Sequence, residues 1–438
     1  SNGGIIMHKG SFNISLKNIS KIEGHTHLDI AVKKGEAISA KLKINENKRF
    51  YRDASIGMSY KTVPSHLARI CGTCSPAHMS CVCEAVERAA GIQISEQSKA
   101  LRELLLLGNV IRDHGMHLYF FCLPDIFGVD SVLDFDKKKD NLIHNALHVK
   151  EAGNLLCSAI GGRAVHPPFA NVGGFNRLPK KESIQKALAE LKESRNYALD
   201  FIELFFEKDK SFKRDTNFVA LCGKDFSYVD GVIKTSSGKV IGEEGYREHL
   251  EKVIIPYSTA SAFEFEFKEF MVGALARMNL NKDELDKNTK KDCSKYLKVF
   301  PSNDIFHNNL AQAISVVNAI DKSVKLLESM DFKQEKMPEA RPGKPNTGVG
   351  VIEAPRGTLY HMIGIDAKGI VNRSEIIIPT SQNVIHLEKS MVGYVNEMLN
   401  KGISKEKISM NAERLIRAYD PCMSCATHFL KINWKSVK

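Results

Sequence analysis

The chain has 438 residues, 43% of them hydrophobic and 26% charged, with a formal net charge of +11. That length can bury a large core arranged in two or three lobes, and the composition is that of a globular protein. No window of about 18 uninterrupted apolar residues occurs and the start lacks a secretory leader pattern, so no membrane span and a cytoplasmic location are expected; Ser1-Asn-Gly-Gly ahead of Met7 is left out of the fold.

In chain order, Phe12, Ile14 and Leu16 alternate with polar residues, as do Ile38, Ala40, Leu42 and Ile44. These patterns predict strands of a small N-terminal sheet, turning at the Lys-Lys-Gly of 33–35. From about residue 65 the pattern turns helical. Ser95 is placed to cap a long helix with Leu101, Leu104 and Leu105 on its apolar face, running through His117. Further helices are predicted over 141–160, ended by Gly161-Gly162, and over 183–207. Residues 218–240 read as a hairpin with a Ser-Ser-Gly turn at 236–238, and 304–330 as a helix. Residues 333–346 read as a surface loop, and 348–378 as strands with a turn at 366–369. A last helix over 409–418 is stopped by Pro421, which aims Cys422 inward.

The whole reads as α+β: a mainly helical core bundle with a small N-terminal β-sheet and peripheral β-hairpins. One unit of 1–438 is expected, with a β-rich part over about 8–60, a helical core over about 65–210 and 304–428, a β-rich insert over about 215–260 and a tail, 429–438. The basic runs Lys137-Lys-Lys139 and Lys290-Lys291 are too short for a nucleic-acid surface. The excess charge therefore reads as a solubilising surface, with docking onto an acidic partner subunit open.

Ten cysteines in a cytoplasmic chain are not expected to form disulfides. Four of them make two C-x-x-C pairs, Cys71/Cys74 and Cys422/Cys425, whose inner members lie 348 positions apart. If the fold joins them, four thiolates make a soft-metal site for zinc, iron or nickel, not for magnesium or calcium. The other six, Cys81, Cys83, Cys122, Cys157, Cys222 and Cys293, read as small buried hydrophobes. No ferredoxin-like run of cysteines is present.

Each pair sits in specific polar company. The first runs Arg69-Ile-Cys71-Gly-Thr-Cys74-Ser-Pro-Ala-His78, and the second Asp420-Pro421-Cys422-Met-Ser-Cys425-Ala-Thr-His428. Between them lie Asp113-His114-Gly-Met-His117-Leu-Tyr119, Gly161-Gly-Arg163-Ala-Val-His166-Pro167, Glu353-Ala-Pro355-Arg356-Gly357 and Pro379-Thr380-Ser-Gln-Asn383, with Ile22-Glu23-Gly24-His25 ahead of them all. In this order the chain resembles the large, catalytic subunit of the nickel–iron hydrogenases, over nearly its full length.

The resemblance implies that family's fold and reversible heterolytic cleavage of dihydrogen, at a nickel–iron centre whose iron carries cyanide and carbon monoxide. It implies Cys71 and Cys422 as terminal nickel ligands, and Cys74 and Cys425 as sulfurs bridging to iron. Arg356 and Thr380 would donate to the cyanides beside Pro355, because a guanidinium cannot lose its charge. Asp113 and Asp420 would orient Arg356. His78, one helical turn after Cys74, would donate to a bridging sulfur. Glu23, a partly buried carboxylate beside a thiolate, would be the proton gate. His114, His117 and His166 look like framework histidines near the partner. The implied partner is a small subunit carrying iron–sulfur clusters, with further electron-transfer subunits passing electrons to NAD(P), a deazaflavin or ferredoxin.

Two positions depart from the family. His428 would be a ligand to an accessory magnesium or iron ion, but Arg52 replaces the acidic ligand nineteen residues before Cys71, which argues against that ion. Arg52 is expected to pair with an acid or a carbonyl instead. Residues 429–438 continue past the usual cleavage point, as an unprocessed precursor or a retained tail. The competing readings are a hydrogen sensor with the same site, and a non-catalytic scaffold like the related quinone-side subunit of respiratory complex I, with a structural four-cysteine zinc.

Overall fold

A computed structural model describes residues 10–44, 50–338 and 343–427. Strands Phe12–Leu16, Thr26–Lys33 and Glu36–Ile44 form an antiparallel sheet, with Phe12 opposite Val32 and Thr26 opposite Ile44. The alternation expected for the third strand holds from Ala40 to Ile44. A bulge at Ala31/Val32 shifts the register ahead of that point, so Ala37 is buried and Ile38 is half exposed. The sheet docks on the Pro379–Asn400 helix, where Glu388 accepts from the Leu42 backbone N–H (2.7 Å) and Asn396 bonds both backbone groups of Ala37.

Helices Glu96–Gly115, Asp140–Gly161, Lys181–Lys208 and His307–Ser329 pack on one another as the core bundle. Ser95 caps the first of these, its side chain accepting from the Ser98 N–H, and Gly162 ends the second in the left-handed region. The 307–329 helix is buried on nearly every side. Leu310, Ile314, Val317 and Ile320 are fully removed from water, each contributing about 1.5–3 kcal/mol. The first helix does not stay α-helical through His117. It passes at Met116 into a π-helical segment, Met116–Cys122. His117 lies in its first turn and is buried, and π-segments are frequent at functional sites.

Strands Val219–Cys222, Val232–Thr235 and Val240–Ile241 make a small sheet, and the expected Ser-Ser-Gly turn joins the last two. A further hairpin, Leu250–Val253 with Ala262–Phe265, carries β structure past residue 260. The sheet Asn346–Ala354, Gly357–Ile365, Val371–Ile377 lies among the later helices and turns at 366–369, as the pattern predicts. It packs against the Ser75–Ala90 helix. At Gly350 the approach is backbone to backbone, since an added Cβ would stand 2.2 Å from the Cys81 carbonyl oxygen. This contact fixes the helix that follows Cys74 against the sheet that carries Glu353. Among the described residues no helix is long and apolar enough to cross a membrane.

Candidate metal centre

The fold joins the two cysteine pairs. Cys71 leaves a 3₁₀ turn in extended conformation, and Cys74 is the residue from which the Ser75–Ala90 helix starts, with Pro76 in its first turn. Asn109 and Arg112 hold the loop between them by donating to the Thr73 carbonyl. At the far end Asp420 takes a positive φ and Pro421 turns the chain, so that Cys422 lies alongside Glu23 and the Met423 N–H donates to the Glu23 carbonyl (3.1 Å). The four sulfurs lie within 4.8 Å of one another: Cys71 to Cys422 3.5 Å, Cys74 to Cys425 3.2 Å and Cys422 to Cys425 2.9 Å. All four are buried.

Hydrogen bonds from the Cys422, Cys425 and Cys74 thiols hold Cys71 well below the ordinary thiol range. Burial pushes Cys422 and Cys425 well above it. Four buried sulfurs this close cannot all be thiolates without a compensating cation. The donor set fits a soft divalent ion.

Arg356 lies buried beside the cysteines, its Nε 3.0 Å from Asp420, and its Nη1 and Nη2 at 2.9 and 3.2 Å from the two oxygens of Asp113. Burial works against the guanidinium charge, but Asp113 and Asp420 outweigh it and keep the pKa well above the usual arginine value. Asp420 is held in turn by Gln312, which donates at 2.9 Å and contacts His117 Nδ1 at 2.6 Å. Thr380 opens the Pro379–Asn400 helix and accepts the Cys422 N–H at 2.9 Å, which leaves its own hydroxyl proton to give. Arg356, Thr380, Val384 and Leu387 line a small cavity with Asp420 and Pro421. A cavity with apolar walls and two fixed donors suits small anionic acceptors.

Glu23 Oε2 accepts from the Cys422 thiol at 3.1 Å and from the Ser424 N–H at 2.9 Å, and the side chain reaches partial exposure. His78 Nε2 is 3.8 Å from the Cys425 sulfur, the other member of the expected bridging pair, while its Nδ1 meets His361 Nε2 at 3.0 Å. His117 also contacts the Arg417 carbonyl. Among the described residues His114, fully buried, has no hydrogen-bond partner on either ring nitrogen, and His166, part exposed, sits by Ser75 through its backbone N–H. Arg52 pairs with Asp53 at 2.6 Å. His428 and the tail 429–438 lie outside the described residues.

The reading from sequence missed several supports. Arg277 pairs with fully buried Glu353 at 2.7 Å and donates to the carbonyls of Ala354 and Pro355, pinning the loop that carries Arg356. Gly357 closes that loop at φ 133, where a Cβ would stand 2.6 Å from Val272 Cγ2. His361 and Gln312 were also missed. The only local signal was a polar residue inside an apolar run, as with Arg277 in Ala274–Asn281 and Gln312 in His307–Ser329.

The arrangement is a buried group of four sulfurs with the Glu23 carboxylate on one side and the Arg356 guanidinium on the other. The family described as nickel-dependent hydrogenase matches residues 57–152 and 243–428. Sulfhydrogenase 1 subunit alpha of Pyrococcus furiosus is 32% identical over 96% of this chain and 98% of that one. The NAD-reducing hydrogenase HoxS subunit beta of Cupriavidus necator is 25% identical, covering 94% of each chain. A solved NAD+-reducing nickel–iron hydrogenase in its H2-reduced state shares the fold, with a TM-score of 0.85 at 23% identity over 96% of this chain and 100% of that one. The chain belongs to the nickel-dependent hydrogenase family, and its four-cysteine site fits a nickel-containing centre.

Proposed function

We propose that this chain is the catalytic subunit of a nickel–iron hydrogenase that cleaves dihydrogen heterolytically and reversibly. The observation that carries the reading is the convergence of Cys71, Cys74, Cys422 and Cys425 between Glu23 and the Asp113–Arg356–Asp420 cluster. When bound, a nickel–iron pair supplies the soft, redox-active metal at which the H–H bond is polarised and broken. Cys71 and Cys422 would hold nickel, and Cys74 and Cys425, 3.2 Å apart, would serve both nickel and iron. Arg356 and the hydroxyl proton of Thr380, beside Pro355, would donate to cyanide carried by the iron. Glu23 takes the proton through the Cys422 sulfur and passes it outward through its partly exposed carboxylate. His78, its ring set by His361, tunes the Cys425 sulfur. Arg52, paired with Asp53, leaves no acid at that position for an accessory magnesium or iron ion by His428.

Electrons must leave through another chain. Among the described residues the remaining cysteines lie apart from this cluster and gather into no second one, which supports a partner subunit carrying iron–sulfur clusters. Infrared spectroscopy of the purified complex tests the centre. Bands of metal-bound carbon monoxide and cyanide are expected. Their absence, together with one zinc per chain, would replace this reading by a structural zinc site.

A further inference from the structure

A second group of metal-ligating side chains lies away from the cysteines, between the Asp140–Gly161 and Lys181–Lys208 helices. His144 and His148 stand one turn apart on the first helix, in His-Asn-Ala-Leu-His. Glu190 and Glu193 stand one turn apart on the second. Ligand atoms of His148, Glu190 and Glu193 all lie within 4.8 Å of one another.

The contacts within the group are specific. His148 Nδ1 is 2.6 Å from Glu190 Oε1, while His148 Nε2 faces His144 Nε2 at 3.3 Å. The rings lie 4.5 Å apart, and Tyr197 packs on His148 at 5.6 Å. Among the described residues no lysine or arginine pairs with Glu190 or Glu193, although the chain carries an excess of positive charge. Glu193 accepts from the Tyr197 hydroxyl at 3.4 Å.

We propose that this group is a site for a zinc-class divalent cation, held by Nε2 of His144 and Nε2 of His148. Two nitrogens at about 2.0–2.1 Å from a tetrahedral ion stand about 3.3–3.4 Å apart, which is the separation seen. Glu190 holds Nδ1 of His148, fixing the tautomer that leaves Nε2 free to bind, the carboxylate–histidine–metal arrangement. The alternative position, on Nδ1, is blocked, because 2.6 Å is too short for a nitrogen and an oxygen sharing one ion without strain. Glu193, whose carboxylate lies within 4.8 Å of ligand atoms of His148 and Glu190, adds negative charge beside the ion, and water completes the shell. Imidazole donors select zinc, nickel, cobalt or copper over magnesium and calcium. An ion bound there is coupled to the second helix through the His148–Glu190 contact.

Cobalt(II) titration of the full chain tests this independently of the proposed catalysis. A nitrogen and oxygen site gives weak visible bands, whereas thiolate ligation adds intense sulfur-to-cobalt absorption in the near ultraviolet. One equivalent without the sulfur band is expected, retained in Cys71→Ser/Cys74→Ser and lost in His144→Ala/His148→Ala. Glu190→Gln should weaken this equivalent by about 10–100-fold, and magnesium should not compete with it. Equal stoichiometry in the parent and the double-histidine variant, or cobalt seen only with the sulfur band, would overturn the proposal.

Discussion

Arg356 shows how much one side chain is asked to do. Its three bonded nitrogens reach two carboxylates from helices and loops far apart in sequence, and its charge is secured by them against burial. Lysine would keep the charge but lose the planar fork. Arg356→Lys is therefore expected to assemble and yet lose dihydrogen oxidation by about 10–100-fold, the worth of one or two charge-assisted hydrogen bonds. An artificial electron acceptor gives the readout, and a rate within about twofold of the parent would remove Arg356 from the reaction. Glu23 is tested differently. Glu23→Gln keeps an acceptor for the Ser424 N–H but cannot carry a proton. Hydrogen–deuterium exchange with solvent should fall by about 10²–10⁴ while the infrared bands stay in place. Unchanged exchange would move the proton path to another group.

At the scale of elements, the site depends on how one loop is tied to its neighbours. Glu353 accepts from Arg277, from the Thr358 hydroxyl (2.6 Å) and from the Leu221 N–H (2.8 Å), with no exposure to water. The conspicuous acid of Glu353-Ala-Pro-Arg-Gly thus anchors the loop while Arg356 faces the sulfurs. Removing it strands a buried guanidinium. Glu353→Ala should destabilise the chain by about 3–5 kcal/mol in urea unfolding, and a loss under about 1 kcal/mol would show that water replaces the carboxylate. Gly350 ties the same sheet to the cysteine-bearing helix, so Gly350→Ala should also disturb the metal centre despite making no contact with it.

For the whole molecule, His386 links distant segments. It contacts the Tyr419 hydroxyl at 2.7 Å and the Thr216 hydroxyl at 2.9 Å, just ahead of Asp420 in one direction and beside the 219–222 strand in the other. Burial pushes its pKa from 6.5 down to about 3. Between those values the unfolded chain binds a proton that the folded chain does not, so stability falls as pH drops below 6.5. From pH 7.5 to pH 5 this costs about 2 kcal/mol. Urea midpoints of the parent and His386→Gln at both values check it. The variant should lose that part of the pH dependence, and an identical slope in both would assign acid lability to other groups.

The sequence by itself determined the local elements and the chemistry of the donors. Ser95 marked a helix start, Gly162 a helix end, and alternation marked the N-terminal strands, because capping groups and apolar spacing act within a few residues. Two C-x-x-C pairs in distinctive polar company specified a soft-metal site and a family. Only the tertiary structure decided which polar groups would meet. Cys74 and Cys425 lie 351 positions apart, Glu353 and Arg277 76, and His78 and His361 283. The π-helical turn that carries His117, and the bulge that exposes Ile38, were likewise set by packing. A period of 3.6 or 2 says which face of an element is buried, not what it is buried against. The partners of Arg356, His78 and His386 were fixed when separate helices and sheets closed over the core, where an unmatched charge or donor is costly.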